Sequence, residues 1–137
     1  MMPLTLQEAA VRDLLLEERL SFEAHHVFEF AAPSPQRRIA VDFLVFLGRG
    51  VVIECTRCGK KRGAGGSEAV RRAAFMNYRF QLIKRAFPGI KCGAVVEAPN
   101  EEQENLRALL AGPLTRADFV SVSIDSLRDA VRGLVGA

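Results

Sequence analysis

Two apolar runs joined by a short turn constrain the fold of this chain more than any other feature. The runs cover Ile39–Leu47 and Val51–Thr56, and the sequence between them, Gly48-Arg49-Gly50, is typical of a tight hairpin loop. Strands that are apolar on both faces lie inside a sheet that is covered on both sides. The sequence therefore predicts an antiparallel hairpin at the centre of a covered sheet.

The flanking segments supply the other elements of a single domain of 137 residues. Periodicity and capping signals predict helices over Thr5–Leu20, Ser67–Phe87, Asn100–Leu110 and from Asp125 or Ser126 to Leu134. Further strands are predicted at His25–Phe30, Ile90–Glu97 and Phe119–Ile124. The order is αβββαβαβα, and the long helix between the third and fourth strands predicts that these two are parallel. The predicted fold class is α/β, with a mixed central sheet flanked by helices.

Asp42 and Glu54 are the two acids within the apolar hairpin. If Leu47 paired with Val51, the two carboxylates would share a face as diagonal neighbours, about 7–8 Å apart. An ionised carboxylate in a buried strand is costly unless it is paired, hydrogen-bonded or bound to a cation. Two of them on one face suit a divalent cation with oxygen ligands. The alternative is that each accepts hydrogen bonds from arginine or backbone donors.

Positive charge is concentrated in the middle of the chain. Positions 37–91 contain 13 lysine and arginine residues and three acids, a local charge of +10, whereas the whole chain carries +3. Such a segment is typical of a protein that binds a phosphate-rich partner, although a solvated basic helix face is the alternative. The candidate nucleic-acid contacts lie in the glycine-rich stretch after the third strand and at the start of the next helix: Arg57, Lys60, Lys61, Arg62, Arg71 and Arg72.

Short motifs in this order resemble the PD-(D/E)XK nucleases, the restriction-endonuclease-like superfamily. They are Val41-Asp42-Phe43, Ile53-Glu54-Cys55-Thr56 and Tyr78-Arg79-Phe80-Gln81-Leu82, and the αβββαβ order over about residues 5–98 is also similar. The resemblance implies that Asp42 and Glu54 bind Mg²⁺, for which Mn²⁺ can substitute, and that the protein hydrolyses phosphodiester bonds of DNA.

Other roles follow from the same resemblance. Glu23 is the candidate for an additional acid near the first helix, with Glu18 and Glu29 as competitors, and Gln81 is expected near the phosphate with Tyr78 in support. Thr56 stands where the family has a lysine. Either Lys60 or Lys61 supplies the missing ammonium as a catalytic residue, or the protein is a catalytically inactive member of this fold that binds nucleic acid or forms a complex with other subunits. We expect a homodimer, because duplex cleavage by one small domain usually requires two sites.

The cysteines and the hydropathy bear on location. Three cysteines favour a reducing, cytoplasmic compartment, and the spacing Cys55-Thr56-Arg57-Cys58 is interpreted as free thiols rather than a zinc site. No run of about 18 apolar residues is present, so we expect no membrane association.

Overall fold

The computed structural model describes residues 4–57, 65–97, 108 and 117–136, with side chains from residue 70 onward in the second of these ranges. These residues form the helices α1 (Leu6–Glu17), α2 (Gly65–Ala86) and α3 (Ile124–Val135), and the strands β1 (Phe22–Glu29), β2 (Arg38–Val45), β3 (Val51–Arg57), β4 (Lys91–Glu97) and β5 (Phe119–Ser121). The helix predicted between Asn100 and Leu110 falls almost entirely outside the described residues.

The strands form one mixed sheet in the order β1-β2-β3-β4-β5. β1 and β3 run antiparallel to β2, and β4 runs parallel to both β3 and β5. Because α2 carries the chain from β3 to β4, it is the crossover that a parallel pair requires. The predicted α/β fold class, with a mixed central sheet flanked by helices, is confirmed.

Two apolar clusters lie on the two faces of this sheet. One contains Phe80 and Ile83 of α2 packed against the sheet, and we call it the α2 cluster. The other contains Leu14 and Leu15 of α1 with Leu127 of α3, and we call it the α1 cluster. All five side chains are at most 1% exposed, so both faces are fully covered at these points. The apolar character of β2 and β3 on both sides follows from this arrangement.

Several element boundaries differ from the prediction by one to three residues, and two of them involve β1 and β5. β1 begins at Phe22, before the predicted His25. β5 ends at Ser121, and not at Ile124, because Ser123 caps α3: its side-chain oxygen accepts a hydrogen bond of 3.0 Å from the Ser126 N–H. A serine in this position satisfies a free amide at the start of a helix. The helix therefore begins before Asp125.

The predicted register of the hairpin is wrong. Val45 pairs with Val51 and Leu44 with Val52, so the loop spans positions 46–50 and Leu47 is not paired with Val51. Gly48 and Gly50 adopt φ angles of +58° and +112°, which glycine tolerates. With these angles the chain leaves β2 after Val45, two residues earlier than predicted. Continued by one residue, this register sets position 42 directly opposite position 54, and not diagonal to it.

In both β1 and β2, the alternation of side chains between the two faces of the sheet is interrupted once, so that residues two apart point to opposite faces. In β2, Val41 packs in the α2 cluster and Phe43 in the α1 cluster, although residues two apart in a regular strand share a face. In β1, Ala24 packs against the α1 cluster and Phe28 lies in the α2 cluster. Both strands therefore reverse at the same level of the sheet, and Asp42 lies at the reversal of β2.

Candidate metal centre and cleft

The carboxylates of Asp42 and Glu54 accept backbone hydrogen bonds at the point where the pairing of β2 with β3 ends. The Cys55 N–H donates to Asp42 Oδ2 at 2.7 Å, and the Asp42 N–H donates to Glu54 Oε1 at 2.9 Å. Each carboxylate thus bonds the backbone of the opposite strand. These two reciprocal bonds hold both side chains at the point where the backbone hydrogen bonds between β2 and β3 end.

Glu54 has a second partner on α2. Its Oε2 lies 3.4 Å from Arg79 Nη1, and Arg79 also donates to the carbonyl oxygen of Ala40. Glu54 is 6% exposed, and burial, with the charge of Asp42, raises its pKa to about 7 although Arg79 acts in the opposite direction. Glu54 therefore has the arginine and backbone partners that the sequence left open as the alternative to a cation.

Asp42 belongs to a group of three possible metal ligands that we call the Glu8–His25–Asp42 cluster. Each residue offers one donor atom, and these atoms lie within 4.8 Å of one another; Glu8 Oε2 is 3.5 Å from His25 Nε2. The three residues come from α1, β1 and β2. Packing of α1 against the sheet, rather than proximity in sequence, brings them together.

Local structure fixes Glu8 at the start of α1. The Thr5 N–H donates to Glu8 Oε1 at 2.9 Å, and the Glu8 N–H donates to the Thr5 hydroxyl at 3.1 Å. This reciprocal pair is a capping box, which satisfies two amides at the helix N-terminus. One carboxylate oxygen of Glu8 is thereby used in capping, and the other faces His25.

His25 is held at the face reversal of β1. Its φ angle is +55°, a left-handed conformation that histidine adopts more readily than most residues. Ala24 pairs with Phe43 and His26 pairs with Val41, so His25 lies across from Asp42. The sequence alone does not identify His25 as a site residue, because the partner of each β1 residue depends on the length of the connection to β2.

The pKa values of the two carboxyl groups in the cluster are shifted in opposite directions. Burial raises the pKa of Asp42 to about 6; the Cys55 N–H lowers it, and the nearby Glu8 raises it further. Burial also opposes the charge on Glu8, but hydrogen bonds from Thr5 and Asp42, with His25 nearby, bring the pKa of Glu8 below its usual value. A bound cation would stabilise both carboxylates in the charged form.

The cluster lines an open cleft of about 1020 Å³ between α1 and the edge of β1 and β2. Arg12 and Val27 are also in its wall. A smaller pocket of about 220 Å³ lies on the other side of Glu8, and its lining includes Thr56, Arg57 and Arg72. Glu8 lines both openings, so the carboxylate is accessible from a cleft large enough for an extended ligand.

Thr56 has no lysine beside it in the described part of the chain, but it has an arginine. Arg72 Nη1 lies 3.5 Å from Thr56 Oγ1, and Thr56 is 6% exposed. Gln7 donates to the carbonyl oxygens of Thr56 and Val95, each at 3.1 Å, and so ties α1 to this end of the sheet. The loop residues predicted to act here, Lys60 and Lys61, lie outside the described residues together with Arg62.

The acids proposed for an additional role lie in other surroundings. Glu23 Oε1 is 3.3 Å from His26 Nδ1, Glu18 accepts a hydrogen bond of 2.7 Å from Arg132, and Glu29 lies 3.8 Å from Arg38. The acid beside Asp42 is Glu8, which the sequence analysis missed. A signal was present, because Glu8 precedes two core residues of α1, Val11 and Leu15, by three and seven positions and so lies on the buried side of the helix.

The remaining predicted residues lie on α2 and at the end of β3. Gln81 is half buried, and two residues apart on a helix do not face the same way, so it is directed differently from Arg79. Tyr78 is exposed. Arg71 and Arg72 are exposed on α2, and Arg57 is exposed and 3.7 Å from Glu97. Their roles in binding nucleic acid or phosphate stay predictions.

Cys55 and Cys92 are free thiols, as the sequence predicted for Cys55. Burial raises the pKa of both thiols far above neutrality, so neither is a thiolate. Cys58, the other cysteine of the CxxC spacing, lies outside the described residues.

Among the residues that the structure describes, no helix combines the length and apolar character needed to cross a membrane. A scan of the sequence against protein-family models found no match, and a search of curated proteins also found none.

Proposed function

We propose that this protein is a divalent-cation-dependent nuclease that hydrolyses phosphodiester bonds of DNA. The observation that carries the proposal is the convergence of Glu8, His25 and Asp42 on one side of an open cleft, with Glu54 bonded to the backbone of Asp42. Carboxylate oxygens are the ligands that Mg²⁺ and Mn²⁺ take in proteins, so the carboxylates of Glu8 and Asp42 fit either ion. Such an ion supplies Lewis-acid chemistry at a phosphate and lowers the pKa of a bound water.

The residues of the chain itself have separable tasks in this proposal. Asp42 and Glu8 bind the cation, and the Cys55 N–H and the capping box hold their carboxylates in position. Glu54 fixes the backbone of Asp42, and it becomes a further ligand if its Oε2 turns away from Arg79. The Nη1 of Arg79 then becomes available to a phosphate oxygen, while its Nη2 retains the bond to the Ala40 carbonyl oxygen.

Cationic side chains flank both openings beside Glu8. Arg12 lies in the wall of the large cleft, and Arg57 and Arg72 lie in that of the smaller pocket. Positive side chains along a cleft attract the phosphate backbone of a nucleic acid. We propose DNA as the polymer, and we retain a homodimer located in the cytoplasm as the expected state.

A second candidate is a protein of the same architecture that binds nucleic acid without cutting it. Thr56, in the position of the family's lysine, favours this candidate, because the ammonium that would stabilise developing charge is missing there. Arg72, 3.5 Å from the Thr56 hydroxyl, is the cation that could compensate. The two candidates differ in whether the wild type cuts DNA at all.

A cleavage assay over duplex, single-stranded, flapped and branched DNA, with Mg²⁺ or Mn²⁺, tests the proposal. We expect metal-dependent cleavage that falls at least 10²-fold in Asp42→Asn and in Glu8→Gln. The controls are Asp125→Asn and Glu29→Gln, which change exposed acids of the same types that do not line the cleft and should cut normally. Preparing all variants identically exposes a contaminating nuclease, whose activity would survive in Asp42→Asn. A wild type that binds but cuts none of these substrates would support the second candidate.

A further inference from the structure

We propose that His25 is a direct ligand of the cation, and that the site therefore selects a first-row transition-metal ion such as Mn²⁺ over Mg²⁺. This deepens the proposed function and rests on it for the existence of a cation site. It concerns which ion the protein uses, which the pair Asp42 and Glu54 does not determine.

The distances within the cluster suit coordination of one ion. Donor atoms bound to a cation at about 2.1 Å lie about 3.0 Å apart at right angles and about 4.2 Å apart across the ion. The separation of 3.5 Å between His25 Nε2 and Glu8 Oε2 lies within this span, and all three donor atoms are within 4.8 Å of one another. The three donor atoms therefore lie close to the separations that one shared ion requires.

The backbone directs His25, and not its neighbour, into the cluster. His25 lies at the face reversal of β1, lines the cleft, and has a side chain that is 31% exposed, so an ion can enter from solvent. His26, the next residue, has its Nδ1 3.3 Å from Glu23 Oε1 and its ring 4.7 Å from the ring of Phe28. Two adjacent histidines are therefore directed to different surroundings, and one of them faces the carboxylates.

The chemistry of the imidazole sets the selectivity. Mg²⁺ prefers oxygen ligands and keeps much of its water shell, so a nitrogen donor adds little to its binding. First-row transition-metal ions accept imidazole together with carboxylates, and their affinity for such mixed sites rises from Mn²⁺ to Cu²⁺ and falls again at Zn²⁺. A site of two carboxylates and one histidine therefore favours these ions over Mg²⁺.

Electron paramagnetic resonance of the full-length protein loaded with Mn²⁺ tests this directly. Spin-echo modulation reports nitrogen bound to Mn²⁺, and the signal of free Mn²⁺ gives the dissociation constant, with Mg²⁺ added as competitor. We expect a ¹⁴N coupling in the wild type and a large excess of Mg²⁺ needed to displace Mn²⁺. Loss of a residue that only supports a metal ligand already costs 10–100-fold in affinity, so loss of a ligand should cost at least about tenfold.

The matched variants are His25→Asn and His26→Asn. Asparagine tolerates the left-handed backbone at position 25, and the chain contains no third histidine. We expect His25→Asn to lose the ¹⁴N coupling and to bind Mn²⁺ at least about tenfold more weakly, with its affinity for Mg²⁺ within about twofold of the wild type. His26→Asn should retain both the coupling and the affinity.

Bound Mn²⁺ without a ¹⁴N coupling in the wild type would overturn the inference, and so would a coupling that persists in His25→Asn or a wild type that binds no Mn²⁺. The absence of a coupling in wild-type protein that binds Mn²⁺ refutes the inference even if a variant fails to fold. Because the measurement involves no DNA, a negative spectrum can be distinguished from a negative result in the DNA cleavage assay. A nitrogen-bound ion in a protein that never cuts DNA supports this inference and refutes the nuclease, whereas cleavage without the coupling does the reverse.

Discussion

Replacing Glu54 by glutamine should make the stability of the metal-free protein less dependent on pH. The Glu54 carboxylate is buried, accepts the Asp42 N–H and faces Arg79. Glutamine has nearly the same size, and its amide oxygen can still accept the Asp42 N–H. The main difference between the two proteins is that glutamine does not titrate.

The sign of the effect follows from the raised pKa. Burial, with the charge of Asp42, raises the pKa of Glu54 to about 7 from an ordinary value of 4.5. Between these values the folded state holds more protons than the unfolded state, so the free energy of unfolding falls as pH rises. The stabilising contribution is fully present below about pH 4.5 and is lost as pH rises through about 7. The difference between the two pKa values corresponds to about 3 kcal/mol.

Urea unfolding in the presence of a chelator, at pH 5 and pH 8, measures this effect. Between these two pH values the wild type should lose about 2–3 kcal/mol more of its unfolding free energy than Glu54→Gln does. Glu29→Gln, which removes an exposed carboxylate, is the control and should behave like the wild type. An equal loss in the wild type and in Glu54→Gln would show that Glu54 does not hold its proton more tightly in the folded state.

Three further results are expected. Gly93→Ala should lower the unfolding free energy by about 1–3 kcal/mol, because a Cβ there would overlap the Phe119 ring. Gly133→Ala, which has open space around it, should raise the unfolding free energy by up to about 1 kcal/mol. Equal urea midpoints for the two variants would contradict this. Thr56→Lys should increase DNA cleavage at least about tenfold if the missing ammonium limits the rate, and an unchanged rate would show that another cation supplies it. Alanine at positions 60–62 should flatten the slope of log affinity for DNA against log salt concentration by roughly 2–3, and an unchanged slope would place the DNA contacts elsewhere.

The central hairpin was predictable because its signal is local. Apolar residues on both faces of two neighbouring runs define interior strands whatever the rest of the chain does, and two acids within such runs stand out as costly. The register was not predictable from the glycines alone. The turn begins at position 46, and Leu47, which its apolar side chain assigned to the strand, lies within the loop.

Glu8 and His25 join the site through tertiary packing. The spacing of Glu8 from Val11 and Leu15 places it on the buried side of α1, but its position next to Asp42 depends on how α1 lies on the sheet. His25 faces Asp42 because both strands reverse together, and strict alternation along a strand predicts no such reversal. Periodicity therefore locates elements and faces, whereas the Glu8–His25–Asp42 cluster forms where regular alternation fails.

Anomalous diffraction at the manganese absorption edge, from crystals soaked in MnCl₂, shows whether Asp42 binds a cation. We expect one strong peak within about 2.5 Å of a carboxylate oxygen of Asp42, bordered by Glu8 and His25 and lost in crystals of Asp42→Asn. A peak at other acids, or no peak at Asp42 with the Cys55 and Arg79 contacts unchanged, would refute a cation site at Asp42. The two acids of the hairpin would then be structural groups that are satisfied by backbone and arginine donors alone.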